Sequence, residues 1–78
     1  MDCAILQQGL EEAERDVERT QRNIASQQQM IATLENGGHD ASMARQLLKL
    51  FEVALAMHVA NRDWLIKELE ESSKPRRG

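Results

Sequence analysis

The side chains that could do chemistry are few: Cys3, His39 beside Asp40, and His58 with Arg62 and Asp63 a turn downstream. His58 is the most suggestive, because an imidazole changes charge near neutral pH and can serve as base, acid or metal ligand. A metal would need further ligands at helical spacing, such as a Glu-x-x-His pair on facing helices, and the chain offers none. His58 is therefore read as a hydrogen-bonded filler of a helix seam, satisfied by the Thr20 hydroxyl or by a carboxylate of the first helix. Arg62 is expected to lay its stem over Val17 and carry its guanidinium to Asp16 or to an acidic partner residue. His39 is expected in a solvent-facing loop. Cys3 is the single cysteine, which excludes an intramolecular disulfide and a cysteine zinc cluster; it is read as a small apolar packer, compatible with a reducing cytoplasm. No nucleophile is paired with a base, no glycine loop follows a strand, and no two carboxylates converge. The reading is a non-enzymatic protein without metal, cofactor or small-molecule substrate.

The elements that carry these residues are helices. With 78 residues and only two aromatics, Phe51 and Trp64, the chain is one domain near the size where a core barely offsets chain entropy and oligomerisation is a common remedy. In residues 3–35 a heptad places Cys3, Leu10, Val17, Ile24 and Ile31 at one core position, and Leu6, Ala13, Thr20, Gln27 and Leu34 at the other. Asp2 is the expected N-cap, and Gly9 is expected to weaken the first turns. Charged residues such as Glu11, Arg15, Glu18 and Arg22 fill the opposite face, in the order that favours pairing four apart.

Residues 36–40, Asn-Gly-Gly-His-Asp, interrupt the pattern. Asn36 or Gly37 is expected to close the first helix in the left-handed conformation, and Asp40 to cap the second. A loop this short returns the chain antiparallel. The second helix is expected over residues 41–71, within a hairpin spanning 1–73, followed by a basic disordered tail at 74–78 that Pro75 keeps out of the helix. Folding about Gly38 pairs positions whose numbers sum to about 78, so that Thr20 meets His58, Gln27 meets Phe51, and Val17 meets Arg62.

The second helix is more apolar than one neighbour requires. Leu48, Phe51, Leu55, His58, Arg62, Leu65 and Leu69 form the seam toward the first helix. A second stripe of Met43, Leu47, Leu50, Ala54, Met57, Asn61 and Trp64 lies about a quarter turn away. Together they exceed the ~100° apolar face of a surface helix. The fold class is thus all-α, a two-helix antiparallel coiled-coil hairpin that dimerises into a four-helix bundle through that stripe. Thr20, Gln27, His58 and Arg62 are the polar residues of the intra-hairpin seam, where such groups fix register and partner number.

Ile31, Leu34, Glu35, Gly38, His39 and Asp40, followed by Leu48, Phe51, Glu52, Leu55, His58, Arg62, Asp63 and Leu65, form an I-x-x-L-E, G-H-D, L-x-x-F-E, L-x-x-H-x-x-x-R-D-x-L arrangement. It resembles short bacterial helical-hairpin proteins of unknown function; the likeness covers about half the chain and implies no activity. The architecture also resembles plasmid copy-control proteins that form dimeric four-helix bundles and bind paired RNA loops, without a shared motif.

The function expected is self-association and protein–protein interaction, as a homodimeric scaffold or adaptor with room for an unidentified protein partner. The alternative is a small RNA- or DNA-binding regulatory dimer, for which Lys74, Arg76 and Arg77 speak. Against it stand a net charge of −3 and the lack of an aromatic stacking platform. Residues 1–38 carry seven acidic and three basic side chains, and 39–78 carry six and seven, so neither half is a basic surface. No apolar run reaches the ~18 residues of a membrane span, and the expected location is cytoplasmic.

Overall fold

A computed structural model describes residues 2–73, Ser73 by its backbone alone; the expected tail at 74–78 lies outside the described residues. The chain forms two α-helices, α1 (Cys3–Asn36) and α2 (Ser42–Ser73), packed against each other as a hairpin. The expected bounds of 3–35 and 41–71 agree with these at the first end, differ by one residue at the next two and by two at the last. At 1.5 Å per residue each helix is roughly 50 Å long. No helix among the described residues is long and apolar enough to cross a membrane.

Both ends of α1 and the start of α2 are closed by local hydrogen bonds. Asp2 accepts from the Ala4 amide at 3.0 Å through its carboxylate, taking up one of the free donors of the first turn. At the other end, the His39 amide donates to the Leu34 carbonyl at 2.8 Å and the Gly38 amide to the Glu35 carbonyl at 3.1 Å, the paired bonds of a Schellman closure. The left-handed residue is Gly38, with φ of +73°, rather than Asn36 or Gly37. Helix α1 simply runs on through Asn36, Gly37 keeps a right-handed backbone, and the turn falls on the next residue able to adopt positive φ without strain.

Asp40 starts the return. Its Oδ1 accepts from the Ser42 amide at 2.9 Å and from the Ser42 hydroxyl at 2.6 Å. The hydroxyl bond first, and the amide bond after it, hold the Asp40 carboxyl below the usual carboxylate range. A lowered value in the folded state means the contribution is complete above the unfolded value and is lost as pH falls through the folded one. Asp40→Asn should therefore flatten the loss of thermal stability seen on acidification below about pH 4; an unchanged acid limb in a pH series of melting curves would contradict this cap.

The stagger of the helices differs from a fold about Gly38. Leu65 packs in one cluster with Leu6, Ala13 and Leu10, and a Cβ on Gly9 would lie 3.5 Å from its Cδ2. His58 Nδ1 lies 4.0 Å from Asp16 Oδ2. These approaches centre on sums near 74, about one helical turn from the expected 78. The loop is the cause: His39 to Ala41 are not helical, and non-helical chain advances up to ~3.3 Å per residue against 1.5 Å in a helix. Helix α2 thus begins alongside the last turn of α1, where Arg45 pairs with Glu35 at 2.8 Å and Ala41 is buried. Both ends of that ion pair are half exposed, so it adds ~1 kcal/mol at most.

Buried apolar residues are Leu6, Ala13, Val17, Ala41, Ala44 and Leu65, accompanied by Thr20 and Gln27. The α1 heptad otherwise lies half-buried, except that Cys3 is exposed and is not the packer expected, since the stagger sets it at the open end beyond Leu69. Gly9 is well inside the helix, and the added methyl would make ordinary contact with Leu65. Gly9→Ala should raise the hairpin's stability by up to ~1 kcal/mol; a lower melting temperature would show that the site is tighter than its 3.5 Å spacing.

Candidate interaction face

Of the four polar seam residues, α1 buries Thr20 and Gln27, while His58 and Arg62 of α2 are half-buried. Their hydrogen bonds run to other groups than those a sum of 78 brings level, and for His58 the nearest charged group is a first-helix carboxylate, the second of the two partners expected for it. The Thr20 hydroxyl donates to the Asp16 carbonyl of its own helix at 2.8 Å instead of meeting His58. Gln27 does cross the hairpin, its side-chain amide donating to the Ala44 carbonyl at 2.9 Å, about two turns before Phe51. Arg62 donates to Asp63 Oδ1 through Nε and Nη2, both at 3.1 Å, and not to Asp16. Asp16 is engaged by Arg19, with His58 beyond hydrogen-bond distance at 4.0 Å. The one-turn stagger accounts for all four, because it brings Asp16 rather than Thr20 level with His58 and withdraws Arg62 from Asp16.

Among the described residues no three His, Cys, Asp or Glu side chains come together. The buried polar side-chain atoms described all have hydrogen-bond partners, and among the four seam residues it is Gln27 whose hydrogen bond ties one helix to the other.

The outer face of α2 is different. Met43 is 79 % exposed, Leu50 65 %, Met57 68 % and Trp64 48 %, and Asn61 is exposed beside them. Leu47 is less open and Ala54 is half-buried, since both lean toward α1. These values describe a single chain. Spaced seven apart, Met43, Leu50, Met57 and Trp64 form one row along the helix. The exposed apolar surface is centred slightly farther from α1 than the sequence stripe. It takes in Val53, 60 % exposed, and Ala60, which stand three after Leu50 and Met57 and four before Met57 and Trp64.

At the loop end this face deepens. Met30 of α1 joins Leu34, Met43, Ala44, Leu47 and Leu50 around an open groove of about 490 Å³, with Gln27, Asp40 and Gln46 as its polar lining. Met30 and Val53 were not legible as face residues from the α2 stripe alone. Val53 carried a usable signal, standing three residues from Leu50 and four from Met57, the neighbour spacings of a helix face. Met30 carried none, because its place depends on how the first helix is staggered against the second. Compared with protein-family models, with curated proteins and with solved structures, the chain matches none of them.

Proposed function

We propose that the protein works by association rather than catalysis: two hairpins pack α2 against α2 into a four-helix bundle, a homodimeric scaffold for protein–protein contact. One observation carries this reading. The large apolar side chains buried within the single chain are Leu6, Val17 and Leu65, whereas Met30, Met43, Leu50, Val53, Met57 and Trp64 are exposed along or beside one face. A monomer would thus leave six large apolar side chains along or beside one face in water, and contiguous apolar patches of several hundred Å² mark binding sites.

The area is of the right order for a pair. At about 150–200 Å² for a fully exposed large side chain, these residues and Leu47 offer roughly 600–800 Å² per copy. Two copies then reach the ~1,200–2,000 Å² of specific interfaces. Burial at ~25 cal/mol per Å² would offset association costs of 4–15 kcal/mol. The exposed methionines suit a tightly packed but adaptable contact.

Coupled folding and association make thermal stability depend on concentration. The melting temperature followed by circular dichroism should rise by several degrees over a hundredfold increase in protein concentration. A midpoint independent of concentration would reject the dimer.

A further inference from the structure

We infer that the two copies run antiparallel, about a twofold axis passing between Val53 and Ala54, with Trp64 of each copy seated in the loop-end groove of the other. This rests on the pairing of α2 faces proposed above and specifies its geometry. The row is self-complementary about that axis: Met43 and Trp64 lie equally far from it on either side, as do Leu50 and Met57. A twofold pair brings such positions together. The small Ala54 lies beside the axis, and the bulkiest side chain of the row falls on the groove at each end.

The groove suits an indole. Its lining of Met30, Leu34, Met43, Leu47 and Leu50 is apolar, and thioether sulfurs make favourable contacts with aromatic rings. A volume of about 490 Å³ lies in the ~300–1,000 Å³ range of pockets that enclose aromatic groups. Asp40 and Gln46, in the same lining, offer the acceptor that a buried indole N–H requires. Trp64 is the chain's single tryptophan, and tryptophan is prominent among the anchors that dominate interfaces.

Charge selects the same orientation. A parallel pair would set Lys49 beside Lys49, Lys67 beside Lys67 and Asp40 beside Asp40. About the axis between Val53 and Ala54, Lys67 comes level with Asp40 of the other copy. The positive N-terminal end of each α2 also meets the negative C-terminal end of its neighbour.

The test uses the full chain with Cys3→Ser, carrying either Gln46→Cys or Asn61→Cys, and a short thiol cross-linker spanning about one helix diameter, ~10 Å. Positions 46 and 61 are equidistant from the axis, so mixing the two variants should give a cross-linked heterodimer. Each variant alone should give little, because its own two thiols would stand more than ~20 Å apart at 1.5 Å per residue. Efficient self-linking at each position would show a parallel pair and overturn the inference. A dimeric mass with no linking of either kind would overturn it too, whereas a monomeric mass would reject the face-to-face reading beneath it. In the unsubstituted chain Trp64 emission should move to shorter wavelength as dimer forms; emission that stays solvent-like in a dimeric sample would overturn the seating of the indole.

Discussion

Met57→Glu is expected to convert the proposed dimer to monomers while leaving most of the helix content in place. Met57 is 68 % exposed in the hairpin, so a carboxylate there stays hydrated in the monomer and meets no intramolecular obstacle. In the pair it would be buried in the apolar row without a counter-charge, and an unpaired buried charge is among the most costly changes an interface can suffer. Central interface substitutions cost about 2–4 kcal/mol, which weakens association roughly 30- to 1,000-fold. Sedimentation together with far-ultraviolet circular dichroism checks this. A variant that stays dimeric, or one that unfolds outright, would show that the row does not face outward as the structure has it.

Leu65→Ala does the opposite and strikes folding first. Leu65 is buried against Leu6 and Ala13, with Leu10 and Leu69 packed around them, so truncation leaves a cavity that two rigid helices cannot collapse. Such truncations cost ~2–5 kcal/mol. In a domain of this size even the lower figure shifts the melting temperature by roughly 10 °C. A change under about 3 °C would mean that this end of the hairpin adds little to the core. Because Leu65 directly follows the half-exposed Trp64, the two neighbours separate folding from association: Leu65 faces α1, and Trp64 faces away from the main core.

Much of this architecture is legible in the sequence because it is local. The heptad from Leu6 to Leu34 sets the inward face of α1, Asp2 and Asp40 mark helix starts, and the Gly37-Gly38 pair marks the turn. The stagger is not local. It follows from how far His39 to Ala41 travel before α2 winds, and no periodicity within either helix reports that distance. The shift of one turn moved Asp16 to His58, gave Gln27 the Ala44 carbonyl, and left Cys3 exposed at the open end. It also brought Met30 to the groove. Within α2 the rotation against α1 decided that Val53 is open and Ala54 half-covered, although both neighbour the same row of apolar residues.

The polar seam gains a plain physical role from this geometry. Gln27 is buried and bonded across the hairpin, where an apolar residue of similar length would tolerate sliding by a turn. Thr20, bonded back to its own helix, fills the seam without asking for a partner on α2. The seam therefore fixes the hairpin's register, and the proposed pairing falls to the outer row of α2, which is exposed in the single chain.

The mass of the purified chain in solution, measured by light scattering at micromolar concentration, tests that last step most directly. Two copies would scatter as twice 8.9 kDa, and the account requires that value. A particle holding at 8.9 kDa across the accessible concentration range would contradict it.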